Sequence, residues 1–339
     1  MDLEEIYQTA REKMEGYCRV CSVCDGRACK GEVPGMGGAG TGSSFQANLA
    51  AWQDYKLQLR TLHQADDPDT SVTILGEKLT TPILKAPVTG SQYNMGGALS
   101  EEEYTKVVVE GSQEFGTIAM TGDSGDPTVY DVGVDAIQAC DGFGIPIIKP
   151  REQDEIKKRI KMAEEVGSKA VGIDVDGAGL ITMALKNQPV GPKSKEELEE
   201  LVASTELPLI LKGIMTADEA RLAVDAGVEM IVVSNHGGRV LDSTPGTAEV
   251  LPEIAAEVGD EATILVDGGI RAGVDVLKAL ALGADAVLVA RPLIIAAFGG
   301  GKEGFKLLLD NLTTELKKAM ILTGCNSVDE ISSDILRKY

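Results

Sequence analysis

Eight short apolar runs, most ending in Gly, Asp or Thr and each followed by a helix-like segment, limit what this chain can fold into. They are PILKAPVT (82–89), GTIAMTG (116–122), IPIIKP (145–150), AVGIDVD (170–176), LPLILKG (207–213), MIVVSNHG (230–237), ATILVDGG (262–269) and AVLVARP (286–292). Their apolar character is continuous rather than alternating, as suits parallel strands covered on both faces. Segments such as EEEYTKVVVEGSQEF, EQDEIKKRIKMAEEV, ADEARLAVDAG and VDVLKALALG lie between them, with apolar residues at three- and four-residue spacing. FKLLLDNLTTELKKAMIL then reads as a long amphipathic closing helix. The alternation predicts an α/β fold, a (β/α)8 TIM barrel, with an open doubly wound sheet as runner-up.

The 339 residues leave room for an extension before the barrel. Residues 2–16 read as a short amphipathic helix, GEVPGMGGAGTGSS as a loop or lid, and 45–62 as a second helix. SVTIL and KLTTP flank Gly76 and Glu77 as a hairpin suited to cover the N-terminal mouth of the barrel. This gives a helical, Cys- and Gly-rich extension and lid over 1–70 and a barrel with its closing helix over 71–339. His63 reads as a surface loop residue.

The formal charge of −21 disfavours nucleic acid and anionic membranes as partners, because phosphate backbones demand a basic patch. No apolar run reaches the roughly 20 residues of a spanning helix, and the charged N-terminus does not resemble a signal peptide. A soluble, cytoplasmic protein is expected. Barrels of this kind often assemble through their helices, so a homo-oligomer is expected too.

In such a barrel the C-terminal strand ends share one face, so Thr89, Asp174, Lys212, His236, Asp267 and Arg291 should converge. VSNHGGRVLD (233–242) holds one of only two histidines, followed three residues later by Arg239. A proton acceptor beside a planar cation suits removing a proton next to a carboxylate. Within LVDGGIRAGVDVLKALALGADAVLVARP (265–292), glycine amides, a helix start, Arg271 and Arg291 together suit a phosphate. Cys18, Cys21, Cys24 and Cys29 have the spacing C-x2-C-x2-C-x4-C, close to a ferredoxin run. That pattern suits an iron–sulfur cluster or zinc; the alternative is a set of reduced thiols on one helical face. A cluster there would pass electrons singly and favour a protein acceptor over oxygen.

VSNHGGRVLD, preceded by LPLILKGIMTADEARLAVDAG and followed by DGGIRAGVDVLKALALGA, resembles the FMN-dependent 2-hydroxy acid dehydrogenases and oxidases, the glycolate oxidase and lactate dehydrogenase group. The match is specific over about 207–292, weaker at TSVTILGEKLTTPILKAPVTG and ILTGCNSVDEIS, and fades over 120–195. The resemblance implies FMN as cofactor and a small 2-hydroxy acid as substrate, the electron acceptor remaining open. It implies His236 as base, Arg239 as carboxylate anchor, Asp174 as support for the imidazole and Lys212 beside the flavin pyrimidine ring. Pro87, Val88, Thr89 and Gly122 would lie along the flavin and Ser234 would bond its ring. Asp267, Gly268, Gly269, Arg271, Ala290 and Arg291 would hold ribityl and phosphate.

The chain departs from the family where substrate is gripped. No tyrosine stands near Gly35, Lys149 and Arg151 replace the usual glutamine and tyrosine, and Leu180 and Ile181 stand where a second arginine is placed. Lys149 then becomes a compensating charge near the flavin. Arg151 is either a compensating charge too or simply the start of a helix. Tyr93 is a substrate contact or a packed aromatic. Two other functions stay open: an FMN-dependent isopentenyl diphosphate isomerase, against which Arg239 speaks, and a flavin or redox sensor that uses the cysteines as its switch.

Overall fold

The computed structural model describes residues 2–338. All eight apolar runs form strands: β1 Ile83–Lys85, β2 Met120–Thr121, β3 Ile145–Ile148, β4 Val171–Asp174, β5 Leu209–Ile214, β6 Met230–Val233, β7 Thr263–Val266 and β8 Ala286–Val289. Consecutive strands pair in parallel, and β8 returns to β1 with Leu288 opposite Leu84. A parallel bridge between Lys85 and Ala119 closes the ring next to β2. A closed ring excludes the open sheet.

The barrel interior is filled by Leu84, Met120, Ile147, Ile210, Val232, Leu265 and Leu288, all buried. Full burial of each such side chain stabilises by roughly 1.5–3 kcal/mol before entropy is counted. Ile74 and Leu79 join the same cluster from the hairpin Val72–Ile74 and Glu77–Leu79, so the hairpin plugs the N-terminal mouth as expected. The helix Glu101–Phe115 starts with a capping box, Ser100 bonding the Glu103 amide and Glu103 the Ser100 amide. Ser194 and Glu197 start the helix Lys195–Val202 in the same way.

Two expected elements differ. The second helix spans only Ser43–Gln53, after which Tyr55–Leu57 pairs antiparallel with Leu336–Lys338, so the backbone groups beyond Gln53 bond to the chain's far end instead. The closing helix begins directly after β8 and runs Arg291–Thr323, broken at Gly301 (φ 56°, ψ −146°). Helix Leu3–Lys13 lies against it at glycines, since a side chain at Gly299 would collide with the Ile6 carbonyl. Residues 14–42 form neither helix nor strand. No described helix is long and apolar enough to cross a membrane. His63 is exposed and bonded to the Arg60 carbonyl and the Ala65 amide, a local loop contact.

Lys85 breaks the apolar rule of β1. Leu84 and Ala86 point into the barrel, while Lys85 is fully buried on the helix side with its Nζ 5.2 Å from the Tyr104 ring and no hydrogen-bond partner. Burial pushes its amine down to about 7, with Glu101 opposing weakly. Between that value and the ordinary one of about 10.4, only the unfolded chain binds the proton, so stability rises with pH across this window. Lys85→Met should therefore stabilise by about 1–3 kcal/mol at pH 7 and below, with the gain shrinking towards pH 10. Urea unfolding at pH 6, 8 and 10 checks this, and a gain independent of pH would contradict it.

Candidate active site

The centre of the site is a backbone turn. β6 ends at Val233, and His236, Gly237 and Gly238 then take φ of 58°, 63° and 77°, three successive left-handed residues. His236 is the costly member, because a side chain disfavours that region. Gly238 is glycine for a second reason: a Cβ there would lie 2.4 Å from the Phe45 amide nitrogen. Ser234 Oγ accepts from the His236 amide at 3.0 Å and from Lys212 Nζ at 3.0 Å, tying turn and lysine together.

Two carboxylates meet the imidazole. Asp176 Oδ1 lies 2.9 Å from His236 Nδ1 and Asp174 Oδ1 lies 3.3 Å away, so the hydrogen bond goes to Asp176. Asp174, expected to support the ring, instead takes Lys149 Nζ at 2.5 Å. Asp176 gets this close because β5 bulges at Gly213 (φ 106°), where a side chain would overlap Asp176. Burial opposes charging His236, but Asp174 and Asp176 outweigh it and move the imidazole above its ordinary range. Asp174 stays well below the carboxylate range despite burial, held there by His236, Lys149 and Lys212. Asp176 is pushed up to about 6 by burial and by Asp174. Lys212, buried, faces Asp267 at 3.5 Å and remains cationic.

A cavity of about 1400 Å³, including its solvent-open part, occupies the C-terminal face of the barrel. Pro87, Val88, Thr89, Gly122, Lys149, Asp174, Lys212, His236 and Arg239 all line it. So do Asp267, Gly268, Gly269, Arg271, Ala290 and Arg291. Ser234 does not: its hydroxyl is buried behind Lys212 and already engaged, which gives it a positioning place rather than a wall. Arg151 is likewise removed from the cavity, forming a buried bidentate pair with Asp123 at 2.7 and 2.9 Å that fixes the loop after β2.

Arg239, Arg271 and Arg291 are half-buried, and none has a carboxylate within 4.0 Å among the described residues. They bond to backbone carbonyls instead. Arg239 donates to Gly35 at 2.5 Å and Gly37 at 3.2 Å, and to Asn94 Oδ1 at 3.1 Å. Arg291 donates to Met36 at 2.9 Å and Gly237 at 3.1 Å and stacks 3.8 Å from the Phe45 ring centroid. Desolvation lowers Arg239 to about 10, and desolvation with repulsion from Arg239 and Arg271 lowers Arg291 to about 9. The helix beginning at Arg291 has no side-chain cap, whereas Asp275 occupies the amides of Arg271 and Ala272. Unpaired guanidiniums beside an uncapped helix start fit an anionic group such as a phosphate. Asp267 Oδ1, buried without a partner, offers an acceptor on the same wall.

Sequence reasoning missed several neighbours. Asp176, two residues beyond Asp174, carries no separate mark in the sequence, since the bulge that favours it shows only as Gly213. Asn94 holds both Arg239 and the Gly35 amide, next in sequence to the noted Tyr93. Tyr93 itself is half exposed at the cavity edge, accepting from Lys186 Nζ at 2.8 Å. Asp242 accepts from Thr41 and Ser43, backbone and side chain, and so clamps the Gly-rich stretch to the His236 turn. Cys18, Cys21, Cys24 and Cys29 are unpaired and line one small pocket beside Arg291.

A family described as FMN-dependent dehydrogenase matches residues 35–188 and 182–338. The chain is 34% identical to a 2-hydroxyacid oxidase of Dictyostelium discoideum over 87% of its length and 84% of that protein's. It is 32% identical to human 2-hydroxyacid oxidase 1, covering 89% of this chain and 90% of that one. Among solved structures, mandelate oxidase superposes with a TM-score of 0.79 at 30% identity, over 99% of this chain and 97% of the other. The Cys-rich stretch precedes the residues that the family model matches. With a closed barrel, a histidine–carboxylate pair and an anion-seeking arginine group on its C-terminal face, the chain belongs to the family of FMN-dependent 2-hydroxy acid dehydrogenases and oxidases.

Proposed function

We propose that the chain oxidises a 2-hydroxy carboxylate to the 2-keto acid at FMN, with His236 as base and Arg239 as carboxylate anchor. One observation carries this reading: His236, its Nδ1 held by Asp176, lines the same cavity as Arg239, a guanidinium without an acidic partner. An isomerase acting on a diphosphate has no use for a carboxylate anchor beside a base. FMN, when bound, supplies the two-electron sink. Pro87, Val88, Thr89 and Gly122 would lie along it, Lys212 would stabilise negative charge on its ring, and Lys149 would add positive charge through Asp174. Asp267, Gly268 and Gly269 would take the ribityl chain, and Arg271, Ala290 and Arg291 the phosphate.

Tyr93, Leu180, Leu185 and Lys186 also line the cavity. A mostly apolar wall favours a hydroxy acid with a larger apolar side chain. Relatives by structure include mandelate oxidase, so mandelate is a natural first probe beside lactate, glycolate and longer homologues. On this reading residues 1–70 act as extension and lid, since Pro34, Gly35 and Met36 close one side of the cavity over a barrel of 71–339. A homo-oligomer packed through barrel helices and a protein electron acceptor belong to the same proposal. So does a cytoplasmic location, because closely spaced free thiols suit a reducing compartment. The four cysteines enter as a site for an iron–sulfur cluster or zinc.

Anaerobic addition of these hydroxy acids should bleach the flavin spectrum; no bleaching by any of them would overturn the assignment. His236→Ala should keep FMN but slow bleaching on the order of 10²–10⁴-fold, and an undiminished rate would place the base elsewhere.

Arg271→Ala should weaken FMN binding roughly 10–100-fold, read by flavin fluorescence on titration, as for loss of a hydrogen bond to a charged group.

The base must be neutral, so activity should rise with pH through the imidazole's raised pKa. Asp176→Asn removes a negative charge that favours the imidazolium, and the acid limb should move to lower pH. Stopped-flow flavin reduction between pH 5 and 9 tests the sign; a limb that stays put would detach Asp176 from His236.

A further inference from the structure

The Cys-rich stretch is the part of the chain that the reaction proposed above leaves unused. Cys18, Cys21, Cys24 and Cys29 come from twelve consecutive residues without helix or strand, yet all four line one small, largely apolar pocket. A loop of this length has little core of its own to make four thiols converge. Its backbone is held from outside, Arg11 Nη2 donating to the Val20 carbonyl at 2.9 Å and Arg271 Nε to the Cys24 carbonyl at 3.2 Å, while a two-pronged side-chain pair of Arg19 with Glu32 at 2.8 Å ties the stretch to the residues after it. Two of the sulfurs already receive N–H groups. The Val20 amide points at Cys18 Sγ at 3.4 Å and Arg271 Nη2 at Cys24 Sγ at 3.6 Å. Donors aimed at sulfur stabilise thiolates and tune the clusters they ligate.

Spacing separates the two candidate metals. Zinc with four thiolates at about 2.3 Å brings the sulfurs to roughly 3.8 Å from one another. Among the described residues, the metal-ligating atoms gathered within 4.8 Å of one another are those of Asp174, Asp176 and His236, and no three of the cysteine sulfurs are so close. A pocket walled by four spread sulfurs suits a larger inorganic core, in which each thiolate binds a different iron.

Position supplies the role. Met36 and Arg291 line both the thiol pocket and the large cavity, and Arg271 touches Cys24 while also lining that cavity. One layer of side chains separates the two spaces, on the side where the flavin phosphate would be held.

We infer that Cys18, Cys21, Cys24 and Cys29 hold a [4Fe–4S] cluster that carries electrons from the flavin site to an external one-electron carrier protein. The inference rests on the proposed hydroxy acid oxidation. That reaction converts HO–CHR–COO⁻ to O=CR–COO⁻ with release of two electrons and two protons. The electrons reach the flavin as a pair and leave through the cluster singly, each reducing one carrier molecule, while the protons pass to solvent.

Anaerobically purified holoprotein should contain about four iron and four acid-labile sulfide per chain, and should give a cluster electron paramagnetic resonance signal after dithionite reduction. Cys21→Ala, and separately the double variant Cys21→Ala/Cys29→Ala, should lose iron but keep FMN. Their flavin should still bleach with the hydroxy acid at the rate of the parent protein, while its reoxidation by ferredoxin as the added carrier slows at least tenfold. Zinc without sulfide, absence of metal, or unchanged reoxidation in iron-depleted variants would overturn the inference. Iron and sulfide present with no bleaching by any hydroxy acid would overturn the proposed reaction and the electron path with it, leaving a cluster site of other purpose. Bleaching without iron would overturn the cluster alone.

Discussion

Asp174 is the charge on which the rim of the barrel depends. It sits at the end of β4, buried, with Lys149 at 2.5 Å and the His236 imidazole at 3.3 Å, and opposite Lys212 in the strand register. Without it, Lys149 would lose its carboxylate partner in a space that water barely reaches, and Lys212 and the imidazole would be left to Asp267 and Asp176 alone. With it, Lys212 stays cationic and Asp176 is free to hold the imidazole's tautomer. The arrangement divides labour between two carboxylates only two residues apart. One balances charge and the other orients a ring.

The second constraint is the N-terminal segment, which builds much of the site without belonging to a barrel strand. Asn48 and Asn235 exchange hydrogen bonds at 2.7 and 3.1 Å, Trp52 donates to the Gly268 carbonyl at 2.8 Å, and Asp242 grips Thr41 and Ser43. These contacts press helix Ser43–Gln53 onto the ends of β6 and β7. The Gly-rich loop before it is thereby laid across Arg239 and Arg291. Glycine is what allows this approach, because at Gly238 any side chain would strike the helix backbone.

Much of this was legible in the sequence. Continuous apolar runs with helical segments between them fixed eight strands, and a closed ring follows once each strand must be buried on both faces. VSNHGGRVLD and LVDGGIRAG pointed to His236 and the arginine group because rare, chemically capable residues stand at strand ends. Three things were hidden. The helix ending at Gln53 depends on pairing with residues near 336, a contact nearly 280 positions away that no local pattern reports. The choice of Asp176 over Asp174 depends on a bulge one strand over. Ser234 accepts from Lys212 and the His236 amide, a positioning contact between strand end and turn that no local pattern shows.

Three guanidiniums gather on one wall of the cavity without a carboxylate partner. Desolvation, with their mutual repulsion added to it, lowers Arg291 to about 9, and a bound anion relieves both. The cofactor is then a term in the folding equilibrium as well as in the chemistry. A ligand that binds only the folded state stabilises it by about 2.7 kcal/mol when present at a hundred times its Kd. A flavin concentration well above its Kd therefore holds more of the chain folded, independently of turnover.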